Sequence, residues 1–241
     1  MKPLDGAVAL VTGASRGIGA ATAIELARLG AHLILTARTQ GGLEETDDTI
    51  RALGGTATLL PMDLTKGAEI DLIGPSIHSR FGRLDVLVHN AGVLGTLTPI
   101  SHITDKDWNN AVSVNATASL RVIRTTAPLL KLAPAGRAVF VTSRLADETR
   151  AFWGTYAATK AVLQQLALTW AAESETIALR VNCFDPGPTA TRMRAEAMPG
   201  EDPKTLPTAA GAARKLVALC LPGETRNGAI VRARDTAEAA V

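Results

Sequence analysis

The segment YAATK contains Tyr156, the only tyrosine in the chain, four residues before Lys160. In a helix, residues at positions i and i+4 share a face, so the phenol and the ammonium group can lie side by side. A free tyrosine has a pKa of about 10, and a nearby positive charge stabilises the phenolate and lowers that pKa. The pair therefore has the chemistry of a general acid or base beside a tuning group. Taken alone, such a pair is also an ordinary feature of helix surfaces.

Ser143 is a third candidate, because it ends an apolar segment one loop before the helical pattern that contains Tyr156. Its hydroxyl can donate a hydrogen bond to the oxygen of a carbonyl substrate. The alternative is that Ser143 only caps the turn that follows it.

The segment TGASRGIG contains glycines at 13, 17 and 19, between a predicted strand and a predicted helix. Gly13, Gly17 and Gly19 allow a tight turn, close backbone approach and close packing of the helix on the strand. Exposed N–H groups at the start of a helix bind phosphate, so the turn suits the pyrophosphate of a dinucleotide. A P-loop is disfavoured, because no Lys-Ser/Thr pair follows the last glycine.

Two arginines favour NADP over NAD as the dinucleotide. The second apolar run ends TARTQ, with Arg38 where an NAD site normally has a carboxylate for the ribose hydroxyl. Arg38 and Arg16, which lies inside the glycine turn, can bind a 2′-phosphate, or both can simply be solvated. Asp63, after the third run, can accept a hydrogen bond from adenine or cap the next helix.

A doubly wound α/β scaffold would position these groups. Short apolar runs alternate with longer helical patterns, which predicts a parallel sheet of about seven strands with helices on both faces, in one Rossmann-type domain of residues 1–241. The predicted strands are 7–13, 31–37, 56–62, 84–92, 137–143, 177–187 and 228–233. The predicted helices are 16–30, 42–53, 67–81, 105–132, 154–175 and 208–221. The proline-rich segment 186–207 is predicted to be an irregular loop, with about 188–207 forming a substrate lid; a disordered surface excursion is the alternative.

Composition excludes several classes of function. The net charge of +2 lacks the basic field of a nucleic-acid-binding protein. The four histidines have no metal-ligand spacing, and no apolar segment is long enough to span a membrane. The two cysteines, Cys183 and Cys220, are far apart and fit a reducing compartment. We therefore expect a soluble, cytoplasmic protein that binds neither metal, membrane nor nucleic acid.

The motifs TGASRGIG, DLT, HNAG, SVNAT, Ser143, YAATK and PGPTAT occur in the order and spacing of the short-chain dehydrogenases/reductases. The chain resembles that family over nearly its whole length. The resemblance implies that Tyr156 is the general acid/base, that Lys160 lowers its pKa and binds the nicotinamide ribose, and that Ser143 holds the substrate oxygen. It also implies that Asn115 holds a water of a proton relay, although a buried packing amide is the alternative.

The resemblance further implies a set of cofactor contacts. They are Gly13, Ser15, Arg16, Gly17, Ile18, Gly19, Arg38, Asp63, Leu64, Asn90, Ala91, Gly92, Tyr156, Lys160, Pro186, Gly187, Thr189 and Thr191. The implied protein is an NADPH-dependent reductase, or NADP-dependent alcohol dehydrogenase, that acts on a small-molecule carbonyl or alcohol as a homodimer or homotetramer. A non-catalytic dinucleotide-binding sensor or regulatory module is the alternative.

Three features depart from the family pattern. His89 stands where asparagine is more usual, and Arg144 follows Ser143 where a small or polar residue is commoner. The tail RNGAIVRARDTAEAAV lacks the Asp-Gly-Gly ending of many relatives, which leaves the oligomer geometry open. Four arginines near the expected pocket either favour an acidic or carrier-linked substrate or are solvated: Arg144, Arg150, Arg192 and Arg194.

Overall fold

The computed structural model describes residues 2–236, in which seven strands form one parallel sheet. The strands are β1 (Val8–Thr12), β2 (His32–Ala37), β3 (Thr56–Pro61), β4 (Val86–His89), β5 (Arg137–Val141), β6 (Arg180–Asp185) and β7 (Ile230–Arg232). Their order across the sheet is β3-β2-β1-β4-β5-β6-β7. The predicted fold class is confirmed, and each predicted strand lies within a few residues of an observed one.

Nine α-helices connect the strands within the described part of the chain. They are α1 (Gly17–Arg28), α2 (Gln40–Ala52), α3 (Gly67–Asp71), α4 (Ile73–Phe81), α5 (Asp105–Ala111), α6 (Ala118–Lys131), α7 (Gly154–Glu173), α8 (Arg192–Ala197) and α9 (Ala209–Val217). A π-helical segment, Val112–Thr117, joins α5 to α6.

The central strands are buried on both faces of the sheet, because helices pack on each side and alternate side chains of a strand point to opposite sides. Leu10 and Phe140 belong to one core layer, which they share with residues of α4, α6 and α7. Val11 and Val139 belong to the other layer, with residues of α1, α2 and α9. Strands that are apolar on both faces therefore appear in the sequence as nearly continuous runs of apolar residues.

The strand order reverses between β1 and β4, which pair in register from Ala9 with Val86 to Thr12 with His89. The chain runs outward from β1 to β3 and then returns to β4. Loops that leave neighbouring strands in opposite directions open a crevice at this point, where doubly wound proteins bind their ligands. The glycine turn after β1 and the segment after β4 meet there.

The predicted helix 67–81 is two helices, α3 and α4, separated at Leu72. Pro75 has no N–H to donate to the carbonyl of Asp71, four residues earlier. The hydroxyl of Thr125 donates to that carbonyl instead, at 3.1 Å. The proline thus explains the break.

The predicted helix 105–132 is interrupted by the π-helical segment, which contains Asn115. The apolar pattern of the sequence runs through this segment without a signal for the wider turn. Such π-helical turns occur often at functional sites.

The segment 186–207 is more ordered than predicted, because it contains the short helix α8. The Thr191 hydroxyl caps α8 by accepting from the Arg194 N–H at 3.2 Å, and Arg192 pairs with Glu196 at 2.8 Å. The prediction of an irregular loop is therefore wrong for 192–197. The final residues of the unusual tail, 237–241, lie outside the described residues.

Candidate active site

A crevice of about 1060 Å³ lies at the carboxyl ends of the strands. It is lined by the loops after β1 to β6 and by the first turns of α7. Nearly all of the predicted site residues line it: Gly13, Ser15, Arg16, Gly17, Ile18, Arg38, Asp63, Leu64, Asn90, Ala91, Gly92, Ser143, Tyr156, Lys160, Pro186, Gly187, Thr189 and Thr191. The two exceptions, Gly19 and Asn115, are buried behind its wall.

The glycine turn is closely packed on the end of β4. A side chain at Gly19 would place its Cβ 2.2 Å from the carbonyl oxygen of Gly13, which is impossible without backbone movement. Gly13 and Gly17 have φ of 67° and 58°, a region that favours glycine. The Asn90 amide donates to the carbonyls of Thr12 and Gly13 at 3.1 and 3.2 Å. The turn is thereby fixed with the amino end of α1 facing the crevice, the arrangement that binds phosphate.

Two guanidinium groups at this end of the crevice have no carboxylate within ion-pair distance among residues 2–236. Arg16 and Arg38 are both exposed. The nearby Asp63 carboxylate accepts from the Thr65 N–H and hydroxyl, each at 2.9 Å. These hydrogen bonds, chiefly the one from the backbone, lower the pKa of Asp63, and the charge of Arg38 adds to the effect. The two arginines therefore leave positive charge available to an anion.

Asp63 does not cap the next helix, so that alternative is wrong. Helix α3 begins at Gly67 and has no side-chain cap. The carboxylate stabilises a local turn with Thr65 instead, and it lines the crevice.

Tyr156 and Lys160 lie on the same face of α7, as their spacing predicts. The Lys160 Nζ is 5.9 Å from the centre of the Tyr156 ring and donates to the Val141 carbonyl at 2.8 Å. Lys160 is 3% exposed, and burial lowers its pKa to about 8. The ammonium group is thus held between the end of β5 and the tyrosine.

Burial raises the pKa of Tyr156 to about 12, although part of its surface faces the crevice. The carboxylate of Asp185 adds to the increase, and a hydrogen bond with Ser143 opposes it. The lowering of this pKa by Lys160, which the spacing suggested, stays a prediction.

Ser143 caps the turn that follows it, which is one of the two roles that the sequence left open. Its oxygen accepts from the Leu145 N–H at 3.3 Å and so caps the short turn Arg144–Ala146. Ser143 and Tyr156 both line the crevice, and the serine side chain lowers the pKa of the phenol. The cap therefore fixes the serine beside the tyrosine.

Asn115 is a fully buried amide whose hydrogen bonds are all within the protein. Its Oδ1 accepts from the Val93 N–H at 2.8 Å, and its Nδ2 donates to the Val93 carbonyl and the Thr159 hydroxyl, both at 2.9 Å. A Cβ added at Gly92 would be 3.2 Å from this oxygen and 3.3 Å from the Lys160 Nζ. Asn115 thus ties the segment after β4 to α7 beside the lysine.

His89, the first departure from the family pattern, is buried in a single tautomer. The Ser119 hydroxyl donates to the Asn115 carbonyl at 2.7 Å, so it must accept from the His89 Nε2, at 3.0 Å. The Nδ1 then accepts from the Thr12 hydroxyl at 3.1 Å. Burial, with a further effect of Lys160, lowers the pKa of His89 to about 3, so the ring is neutral. Thr12 in turn accepts from the N–H groups of residues 90 and 91.

Asp185 is a site residue that sequence reasoning missed. It ends β6, is 5% exposed, lines the crevice and accepts from the Gly187 N–H at 2.9 Å. A carboxylate at the end of an apolar strand, directly before Pro-Gly, was the available signal. Its charge acts on Tyr156, which no sequence spacing indicates.

Most arginines near the other end of the crevice are paired. Arg144 lies 3.6 Å from Glu148, and Arg194 makes a two-point contact with Glu201, with a shorter distance of 2.5 Å. The second departure, Arg144, is therefore part of a local ion pair. Thr189 and Thr191 donate to carbonyls within their own loop, which holds that loop at the wall.

Among residues 2–236 no cluster of histidine, cysteine or acidic side chains could hold a metal ion. In the same range, no helix has the length and apolar character needed to cross a membrane.

Comparison with known proteins gives the same family as the motifs. The family model for short chain dehydrogenases matches residues 7–202. The oxidoreductase YciK of Escherichia coli K12, itself uncharacterised, is 36% identical over 210 residues, which cover 86% of this chain and 83% of the relative. A chain from Pseudomonas syringae described as a short chain dehydrogenase is 35% identical, with a TM-score of 0.93 and 96% of each chain covered. A similar chain from Escherichia coli CFT073, complexed with NADPH, is 34% identical, with a TM-score of 0.90 and 97% and 98% of the two chains covered.

Proposed function

Since the chain belongs to the short-chain dehydrogenase family, we propose that it is an NADP(H)-dependent oxidoreductase acting on a carbonyl or hydroxyl group of a small molecule. One observation carries this proposal. Ser143, Tyr156 and Lys160 meet in the same crevice as the glycine turn. A phosphate-binding turn and two hydroxyls beside a buried cation are the groups that a site for hydride transfer to a carbonyl needs.

The residues present fit NADP(H). The glycine turn would hold the pyrophosphate, and the unpaired Arg16 and Arg38 would hold the 2′-phosphate. Asp63 would face the adenine, and Gly187, whose Cβ position has no atom within 4 Å, leaves room for the nicotinamide end. The NADPH complex of the related Escherichia coli chain supports this choice of cofactor. When bound, NADPH supplies a hydride to the substrate carbon, or NADP⁺ accepts one from it.

The protein's own groups manage the proton. Tyr156 gives its proton to the substrate oxygen in reduction, or takes one from the alcohol in oxidation. Ser143 donates to the same oxygen and keeps the substrate within reach of the phenol. Because burial keeps the pKa of Tyr156 far above 7, the tyrosine is protonated at neutral pH and suited to the acid role of a reduction.

Lys160 and Asn115 support the tyrosine. The lysine charge offsets the developing phenolate, and its contact with the Val141 carbonyl fixes its position. Asn115 acts by holding Val93 and Thr159 in place. The water-mediated proton relay at Asn115 stays a prediction.

A turnover assay tests the proposal. We expect wild-type protein to oxidise NADPH with a panel of aldehydes and ketones, and Tyr156→Phe to lose about 10²–10⁴-fold in kcat while it still binds NADPH. Nicotinamide absorbance measures turnover, and nicotinamide fluorescence measures binding. Undiminished turnover by the phenylalanine variant contradicts the proposed acid. Tight NADPH binding without turnover of any carbonyl or alcohol would favour the sensor instead.

We also propose a cytoplasmic homo-oligomer. Cys183 and Cys220 are both unpaired and buried, as expected in a reducing compartment. Helices α5, α6 and α7, which the family resemblance implies in dimer contacts, carry exposed apolar side chains, among them Trp108, Leu120 and Val162. Sedimentation equilibrium measures the mass in solution, and a monomer at micromolar concentration contradicts the oligomer.

A further inference from the structure

Arg150 differs from the other three arginines near the substrate end of the crevice. Arg144, Arg192 and Arg194 each have a glutamate within ion-pair distance. Within residues 2–236, no carboxylate lies within that distance of Arg150. Arg150 is exposed and lines the crevice, and its guanidinium donates one weak hydrogen bond, 3.8 Å to the sulfur of Met198.

Arg150 is connected to the proposed acid through one aromatic ring. Its guanidinium carbon lies 5.2 Å from the centre of the Trp153 ring. The Trp153 ring meets the Tyr156 ring edge to face, with 5.9 Å between centres. Trp153 is buried and therefore fixed. The guanidinium thus lies no farther from the tyrosine ring than the sum of these two distances, which is within the length of a small substrate.

The backbone of the turn at residues 150–153 is strained, and its conformation places the side chains of Arg150 and Trp153 at the crevice. Phe152 has φ of 72° and is the one residue other than glycine with positive φ in the described chain. The Trp153 N–H donates to the Arg150 carbonyl at 3.2 Å, and the Thr98 N–H donates to the Phe152 carbonyl at 3.1 Å. Such strain persists where the surroundings hold it, commonly at ligand sites. The two hydrogen bonds hold the turn with Arg150 and Trp153 at the crevice.

The neighbouring acidic groups define where an anion could lie. Glu201 feels the charge of Arg150, but both of its oxygens are bound by Arg194, which is the main reason that its pKa is lowered. Asp185 is buried beside Tyr156 and would repel an anion at the reacting carbonyl. An anionic group is therefore favoured at Arg150 and disfavoured directly at the tyrosine.

From this geometry we propose that the substrate is an anionic carbonyl compound, whose carboxylate or phosphate is separated from the carbonyl by several bonds and binds Arg150. The inference rests on the proposed reductase function. A guanidinium binds either anion with two parallel hydrogen bonds, and stacking on Trp153 fixes its plane. Arg150 is then a specificity-determining residue.

Matched substrates test the proposal. The panel is 4-formylbenzoate, its methyl ester and 4-formylphenyl phosphate, each reduced with NADPH by wild type, Arg150→Gln and Arg192→Gln. Arg192→Gln is the control, because it removes the same charge from the same crevice but from a paired arginine. We expect Arg150→Gln to reduce the anion-over-ester ratio of kcat/KM by about tenfold or more. The ratio should change by less than about twofold in Arg192→Gln.

The outcomes show which anion the enzyme prefers and whether Arg150 binds it. A wild-type preference for carboxylate or for phosphate, lost in Arg150→Gln, supports the proposal and identifies the anion. No preference in wild type, or equal losses in the two variants, overturns it.

A binding measurement keeps the inference distinct from the proposed function. Calorimetry of 4-formylbenzoate and its ester in the presence of NADP⁺, where no reduction occurs, gives affinities without turnover. Tighter binding of the acid that is lost in Arg150→Gln supports the anion site even if no carbonyl is reduced. Equal affinities of acid and ester in wild type overturn it even if both are reduced.

Discussion

Replacing Asp185 by asparagine should lower the pKa of Tyr156. Burial and the Asp185 charge together raise that pKa from 10.0 to about 12, against the effect of Ser143. Asparagine removes the charge but keeps an oxygen that can accept from the Gly187 N–H, so the loop conformation is retained. Because burial is the larger cause, the pKa should stay above its ordinary value and fall by on the order of one pH unit.

The raised pKa of Tyr156 also makes the free energy of unfolding depend on pH. One pH unit corresponds to about 1.4 kcal/mol, so the change from 10.0 to about 12 corresponds to about 2.7 kcal/mol. The native state holds the phenolic proton more tightly than the unfolded state. The associated stability is present below about pH 10 and is lost as the pH rises through about 12. The loss should be smaller in Asp185→Asn, because its two pKa values lie closer together.

The single tyrosine makes the assay direct, because all phenolate absorbance comes from Tyr156. Rapid pH jumps read that absorbance before alkaline unfolding, and circular dichroism verifies that the protein is still folded. Ser143→Ala is the control of opposite sign, because removing its hydrogen bond should raise the pKa further. A midpoint that is unchanged or higher in Asp185→Asn, or a folded wild type that titrates near pH 10, would refute the reasoning.

Two further substitutions test the cofactor end of the crevice. Arg38→Asp should weaken NADPH binding by about tenfold or more and NADH binding far less, because a charge-assisted hydrogen bond contributes about 1.5–3 kcal/mol. Fluorescence titration measures both affinities. Equal weakening of the two contradicts a contact between Arg38 and the 2′-phosphate. Gly19→Ala should lower the free energy of unfolding by about 1–3 kcal/mol or more and impair NADPH binding, because its Cβ would meet the Gly13 carbonyl at 2.2 Å. The control is Gly41→Ala in α2, where no atom lies within 4 Å, and denaturant titration should show it as stable as wild type or more so. Similar losses in both variants would show that the contact at Gly19 is not the cause.

The elements that the sequence predicted well are those with local causes. Parallel strands buried on both faces must be apolar throughout, so the central strands β1, β4 and β5 could be found as runs. The interruptions of the predicted helices 67–81 and 105–132 were harder to predict. Pro75 leaves the Asp71 carbonyl without its helical donor, and Thr125 of α6, far away in the sequence, supplies a donor instead. No local sequence pattern marks the π-helical turn around Asn115. It is held by contacts of Asn115 with Val93 and Thr159.

The sequence by itself determined the parts of this site that follow from spacing along one element. The glycine turn, the shared face of Tyr156 and Lys160, and the family all follow from residues that are close in the chain or in fixed order. Only the tertiary structure decided which charged groups lie close enough to act on one another. It brought Asp185 to the tyrosine, and it paired three of the four substrate-end arginines, whereas Arg150 has no carboxylate within ion-pair distance among residues 2–236. Charges act through distances in space, and those distances join residues from different strands and loops that no local pattern relates.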